Sequence, residues 1–290
     1  MSSRICIGTA QFGAEYGITN IRGKVSQANA GSILKTGYQK GINVLDTAMV
    51  YGDAESVLGT QMNGKWKIIT KIPPIPEEIK DIKKWIYNET KRSLVRLRRG
   101  SIYGLLVHQE VQLGQAIGEP IFEALLKLKE EGVVQKVGVS VYDPDSITSL
   151  ISRYPIGIIQ APLNLIDHRL IQERTMKSIK AAGIEVHARS IFLQGILLKT
   201  IKELPPYFSK WSSLWRRIGE WMQEEDCSAV EACLGFVSSI SEIDQIVVGV
   251  TSEEELREAM SAENARLHEP PPDFSCHDVG LINPSAWALR

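Results

Sequence analysis

Long hydrophobic runs are missing from this chain. No apolar stretch reaches the roughly 18 residues that a membrane-spanning helix needs. The opening MSSRICIGTAQFG lacks the apolar region of a signal peptide. Charge of one sign is missing too: 33 basic and 34 acidic residues leave a net charge of -1. No whole-molecule field then draws the chain toward nucleic acid or a lipid surface. The densest basic run, KRSLVRLRRG, reads as the exposed end of an amphipathic helix. Cysteine is scarce. Cys6, Cys227, Cys233 and Cys276 form no CxxC pair, which points to reduced thiols in a cytoplasmic protein. His168, His187, His268 and His277 show no paired ligand spacing, so no metal site is expected. No GxGxxG follows the first apolar run, which argues against a Rossmann nucleotide site.

What the chain has is alternation. Its 290 residues are 43% hydrophobic, enough for a substantial core. Eight short apolar runs are strand candidates: RICIGTA, INVLDTA, WKIITKI, YGLLVH, KVGVSV, GIIQAPLN, IEVHARS and QIVVGV. They are apolar on both faces, as parallel strands covered on both sides must be. Helical patterns lie between them. SQANAGSILKTGYQKG opens on a possible N-cap, Ser26, and closes at Gly41, and DAESVLGTQM opens on Asp53. PEEIKDIKKWIYNETKRSLVRL carries acids early and bases late, matching the helix dipole. Further patterns begin at Glu119, Asp143, Arg169, Ser228 and Ser252.

This order predicts an α/β fold, a single (β/α)8 TIM barrel over residues 1–290, with its active site at the C-terminal face of the strands. A doubly wound open sheet is the alternative. Two segments exceed ordinary loops: QGILLKTIKELPPYFSKW after the seventh strand, and the tail over about 264–290. Both are expected near the barrel mouth.

The stretch VLDTAMVYG ends an apolar run on Asp46 and places Tyr51 shortly after it. Lys71 lies in IITKI and His108 ends LLVH. Alone, each has an ordinary explanation: a turn cap, a core histidine, an unremarkable tyrosine. A lysine within an apolar strand is odder, because a buried ammonium is costly unless paired. All four stand at or just past the C-terminal ends of consecutive strands, where a barrel brings side chains together.

With those residues in hand, the sequence resembles the aldo-keto reductase superfamily. LDTAMVYGDAESVLG, IITK, LLVHQ, KVGVSVYDPDSI, IQAPLNLIDHRL, RSIFLQGIL and VVGVTSEEELREA follow its segments in order, from about Gly8 to Ala259. GTAQFGAEYGITN and RSIFLQG look similar to a bacterial branch often associated with surface-polysaccharide sugar pathways. The resemblance implies that Asp46, Tyr51, Lys71 and His108 form a catalytic tetrad for reducing an aldehyde or ketone with NADPH or NADH. In that chemistry Tyr51 donates the proton, Lys71 lowers its pKa, Asp46 anchors Lys71, and His108 hydrogen-bonds the carbonyl oxygen.

The resemblance also implies where an extended dinucleotide lies. Gly8, Thr9, Ala10 and Asp46 fall at the nicotinamide end, and Ser140 and Gln160 resemble carboxamide contacts. Ser190, Ile191, Phe192, Gln194 and Gly195 look like the pyrophosphate cover. Gly249, Thr251, Ser252, Glu255 and Glu258 resemble the adenosine end, at a helix start that favours phosphate. Four departures from the family pattern stand out. Val141 replaces an asparagine, Arg189 an aromatic that stacks on the nicotinamide, and Ala259 an adenine-contacting asparagine. Gly249 and Glu255 stand where a lysine and an arginine often bind the 2′-phosphate, with Glu253 and Glu254 nearby and Arg257 as the local cation. Weak discrimination against NADH, or its reversal, is expected from this.

The loop QEVQLGQAIGEP, the loop near Tyr207, Phe208 and Trp211, and the tail are expected to form the substrate pocket. Their aromatics and few charges favour a small aldehyde, ketone or sugar. The expected partner is thus a small carbonyl compound, in a monomer or weak homo-oligomer. Two other readings use the same fold: a nucleotide-binding sensor with little turnover, and a Schiff-base lyase using Lys71.

Overall fold

The computed structural model describes residues 3–265, 267–269 and 271–287. Each of the eight apolar runs marks a strand, with β4 and β5 starting just before theirs: β1 Ile5–Gly8, β2 Val44–Asp46, β3 Lys67–Ile72, β4 Ile102–Val107, β5 Val134–Ser140, β6 Ile158–Pro162, β7 Glu185–Arg189 and β8 Gln245–Gly249. Every neighbouring pair is parallel, and β8 returns to β1, with Gly249 opposite Gly8. The sheet is therefore a closed barrel in strand order 1 to 8. The helices are α1 Ala10–Gly13, α2 Gln27–Gln39, α3 Ala54–Gln61, α4 Ile82–Leu97, α5 Gly118–Glu130, α6 Ile147–Arg153, α7 Glu173–Ala181, α8 Ser212–Glu224, α9 Ala229–Ser239, α10 Glu253–Ala262 and α11 Val279–Ile282. The open-sheet alternative is thereby excluded.

Alternation along each strand divides two cores. Cys6, Val44, Ile69, Leu106 and Ile158 form a cluster of their own. Residues of opposite parity, such as Ile7, Leu45, Ile68 and Leu105, join the larger core that includes Ile33, Leu58 and Ile86 of the helices. Four cysteines are free thiols. Among the described residues no helix is long and apolar enough to cross a membrane, and no group of three metal-ligating side chains converges.

Caps follow the sequence closely in most places. Ser26 accepts the Asn29 amide at 3.2 Å, and Gly41 lies just past α2 at φ +91°. Asp53 opens α3 as expected, its side chain pairing with Lys24 at 2.5 Å. Two expectations need correction. The helix expected from Pro76 begins only at Ile82, where Asp81 accepts the Lys84 amide at 3.0 Å, so the early acids lie outside it. The long segment after β7 is not one structureless loop. It makes three short 3-10 turns and then α8, an unassigned helix whose Trp215, Ile218 and Trp221 fall on one buried face.

Of the tail, residues 266, 270 and 288–290 lie outside the described residues. The rest crosses the molecule. Cys276 donates its amide to the Ile166 carbonyl, and Gly280 accepts from Tyr207 Oη at 2.8 Å.

Candidate active site

The ends of β2, β3 and β6 bring three polar side chains together. Lys71 Nζ donates to Asp46 Oδ1 at 2.8 Å, Asp46 Oδ2 at 2.7 Å and the Thr47 carbonyl at 2.9 Å. Gln160 Nε2 donates to Asp46 Oδ1 at 2.7 Å. The Lys71 and Asp46 side chains are 1% and 6% exposed, so this is a buried ion pair whose ammonium is fully hydrogen-bonded. Burial without those partners would be strongly unfavourable. The odd lysine of IITKI is explained by register: Asp46 faces Ile69 across the β2–β3 ladder, two residues before Lys71.

Tyr51 lies over this pair. Its ring centre is 5.3 Å from Lys71 Nζ, and the His108 ring meets it edge-on at 5.9 Å. Burial, and then the Asp46 carboxylate, push the Tyr51 phenol well above its ordinary value. The sequence expectation assigned Lys71 the lowering role; in this site the net direction is upward, set first by burial. All three ammonium donors are committed to Asp46 and Thr47, and the carboxylate that neutralises Lys71 also repels a phenolate. Burial lowers His108 to about 4, with the Lys71 charge adding to the effect. At neutral pH the site thus holds a protonated phenol beside a neutral imidazole.

A cavity of about 1200 Å³ opens above these groups. That exceeds the roughly 300–1,000 Å³ of a single small-molecule site, leaving room for a dinucleotide and a second molecule. Gly8, Thr9, Ala10, Asp46, Tyr51 and His108 line one part, with Ser140, Gln160 and Arg189 beside them. Ser190, Ile191, Phe192, Gln194 and Gly195 form the next wall, and Gly249, Thr251, Glu255, Glu258 and Ala259 the far end. Two expected residues do not line it. Lys71 sits behind Asp46. Ser252 instead caps α10, accepting the Glu255 amide at 3.2 Å.

The wall after β7 is strained. Ser190, Leu193, Gln194 and Gly195 have φ of 60, 46, 53 and 90°. Such left-handed positions concentrate at ligand clamps, where surrounding structure must hold them. Here Asn164 Nδ2 donates to the Ser190 carbonyl at 3.0 Å, and Thr19 Oγ1 to the Gln194 carbonyl at 3.2 Å.

Thr19 belongs to a wall that sequence reasoning missed. Residues Tyr16 to Arg22, in the loop after β1, cover the cavity from one side, and Gln11 lies within it. Tyr142 contributes too, while Leu198, Lys199, Glu203, Leu204 and Pro205, of the long segment expected near the mouth, also line it. No periodicity marks these positions; their chain neighbours are ordinary loop residues. The expected pocket residues Phe208 and Trp211 are buried instead in an aromatic cluster with Trp215 and Trp287. The loop after His108 serves from behind: Glu110 accepts the amides of Tyr142 and Asp143 at 2.8 and 3.0 Å. Of the tail, Pro284 and Ser285 reach the cavity.

A dinucleotide suits these residues. The cavity runs from the barrel mouth to Gly249, and at its far end Gln11 Oε1 is a buried acceptor with no hydrogen-bond partner among the described residues.

Similarity to known proteins agrees with this geometry. An uncharacterized oxidoreductase, YqkF, of Bacillus subtilis (strain 168) is 28% identical over 257 residues, 81% of this chain and 82% of its own. The NADH-specific methylglyoxal reductase of Escherichia coli (strain K12) is 23% identical, covering 86% of this chain and 85% of its own. The L-galactose dehydrogenase of Arabidopsis thaliana is 23% identical, covering 88% and 84%. In fold, the holo form of an aldo-keto reductase from Bacillus halodurans superposes with a TM-score of 0.73 at 22% identity, over 93% of this chain and 89% of that one. The Aldo/keto reductase family model matches residues 4–270. The chain therefore belongs to the aldo/keto reductase family.

Proposed function

We propose that this protein reduces a small aldehyde or ketone to an alcohol, with Tyr51 as the proton donor and a nicotinamide dinucleotide as its cofactor. The observation that carries the reading is the buried Lys71–Asp46 pair beneath Tyr51 and His108, at the floor of a cavity large enough for two molecules. A bound reduced nicotinamide supplies the hydride for the carbonyl carbon. The chain supplies everything else. His108, neutral at working pH, offers an N–H to the carbonyl oxygen as negative charge develops there. Tyr51 gives that oxygen its proton. A raised phenol pKa does not prevent this, because an alkoxide is a far stronger base than a phenolate; its conjugate acid titrates near the ~15.7 of water. The same raised pKa keeps Tyr51 loaded with its proton at rest.

Lys71 and Asp46 hold the floor. Their ion pair fixes the Asp46 carboxylate, which orients Gln160. Because the Lys71 ammonium is bound on every donor, it is not a free nucleophile, which weighs against a Schiff-base lyase. Methylglyoxal and L-galactose, named in two relatives, are small oxygen-rich compounds of the kind a mouth lined by Tyr16, Tyr142 and Ile18 can admit.

The test is a panel of aldehydes, ketones and keto-sugars with NADH and NADPH, followed by absorbance. Tyr51→Phe should lower turnover at least 100-fold, in line with the 10²–10⁴ of acid catalysis, with dinucleotide affinity kept within about threefold. A wild-type protein that binds the dinucleotide yet fails to oxidise it in a single turnover with any aldehyde would be a sensor and not a reductase.

A further inference from the structure

The far end of the cavity is built from hydrogen-bond acceptors. The Glu255 carboxylate turns back over the start of α10. It accepts the Thr251 amide at 2.7 Å and Thr251 Oγ1 at 2.9 and 3.0 Å. It therefore puts the protein's own negative charge where a helix N-terminus would otherwise meet an incoming anion. Gln11 reaches the same end from α1. Its amide atoms lie 2.7 and 2.8 Å from where a β-carbon on Gly249 would stand. A lysine at 249 is thus excluded unless Gln11 moves. Gln11 Oε1 is itself buried without a donor.

The nearby cations are already engaged. Arg257 donates to Glu253 at 2.5 and 3.1 Å. Arg22 comes from the loop after β1, a source no local sequence pattern reveals, and its Nη1 lies 3.9 Å from Glu255 Oε1. Glu258 adds a second carboxylate to the lining.

A ribose hydroxyl donates a hydrogen bond; a phosphate dianion only accepts. An end lined by Glu255, Glu258 and the unpartnered Gln11 carbonyl suits the first and repels the second. We propose that this end selects a dinucleotide with free adenosine-ribose hydroxyls, NADH over NADPH, and that Glu255 is the residue that accepts from the ribose and rejects the 2′-phosphate. The proposal rests on the dinucleotide reading above. It chooses reversal over mere weakness of the expected discrimination and names Glu255 as the cause. Arg22 lines the same cavity and offsets part of the Glu255 charge, so its removal tests the balance at this end.

The test is binding, not turnover. Wild type, Glu255→Gln and Arg22→Ala are each titrated with NADH and NADPH by protein and dihydronicotinamide fluorescence. The wild-type Kd for NADPH should exceed that for NADH at least tenfold. Glu255→Gln keeps an acceptor for Thr251 but loses the charge, and should narrow the gap at least fivefold, chiefly by tighter NADPH binding. Arg22→Ala, on a largely exposed side chain, should widen it. Equal or tighter binding of NADPH by the wild type overturns the proposal, as does a gap that Glu255→Gln leaves unchanged or Arg22→Ala closes. If neither dinucleotide binds to protein with an intact melting transition, the dinucleotide reading itself falls, and this proposal with it.

Discussion

Arg189 carries a consequence that its position alone does not. Its Nη2 donates to the Val141 carbonyl at 2.8 Å and its Nη1 to Ser190 Oγ at 3.1 Å. Its guanidinium carbon lies 4.5 Å from the centre of the Tyr142 ring. Tyr142 is in turn held at its amide by Glu110 and at its carbonyl by Arg169 Nη2, at 3.4 Å. Two departures from the family pattern, Val141 and Arg189, are therefore one feature: the arginine rests on the main chain of one and the ring beside it. A cation pinned in this way next to a nicotinamide disfavours its oxidised, positively charged form. Replacing Arg189 with Tyr should shift the ratio of oxidised to reduced cofactor affinity about tenfold toward the oxidised form, ~1.4 kcal/mol. Parallel fluorescence and calorimetric titrations measure that ratio, and an unchanged value removes the electrostatic account.

The placement of Tyr51 is decided between elements. Gly52 has φ +53°, and a β-carbon there would lie 2.2 Å from the Gly13 carbonyl oxygen at the end of α1. The loop after β2 and the one after β1 touch backbone to backbone at this point, which only glycine permits. Behind them, Glu55 of α3 is buried and accepts from Thr70 of β3 at 2.7 Å, and from Ser93 and Arg96 of α4 at 2.6 and 2.8 Å. The glutamate of the DTAxxYGxxExxLG segment is thus a clamp between elements, and one arginine of the basic run is its partner. Gly52→Ala should cost about 1–3 kcal/mol of stability, as overpacking and a strained φ do. Because the tyrosine is the adjacent residue, kcat should fall more than tenfold while dinucleotide affinity barely changes. Thermal melts and steady-state kinetics separate the two effects, and an unaltered kcat would show that this contact does not set the tyrosine.

On the scale of the whole barrel, chemistry sits at one end and a second ionic group at the other. Glu185, at the start of β7, accepts from His187 Nε2 at 2.7 Å, Tyr103 Oη at 2.7 Å and Lys136 Nζ at 2.6 Å. Burial alone would raise the Glu185 pKa. The bonds from His187, Lys136 and Tyr103 outweigh it and hold the carboxyl at about 2. A depressed folded-state pKa stabilises the fold at pH values above the unfolded one, here 4.5, and that contribution disappears as pH falls through about 2. Glu185→Gln should therefore melt below the wild type at pH 7, and the difference should shrink steadily between pH 4.5 and pH 2. Melting curves across that range test it; a difference independent of pH would assign the loss to packing.

The sequence by itself determined the strands and the four polar residues at their ends, and predicted a barrel that the β8–β1 pairing then closed. Each is written in local pattern: β-branched runs of five to eight residues, and polar side chains at their ends. It missed α8, although Trp215, Ile218 and Trp221 carry a helical period, because the unusual length of the preceding segment read as loop. Only the tertiary structure decided what surrounds the tetrad. Tyr16, Arg22 and Tyr142 come from loops without periodicity and Gln11 from a four-residue helix, and their walls are set by contacts distant in sequence, such as Thr19 with Gln194. It also set the burial that dominates the Tyr51 shift. Proximity in sequence names a lysine and a tyrosine, but only packing fixes how deeply the phenol is buried and which carboxylate holds the ammonium.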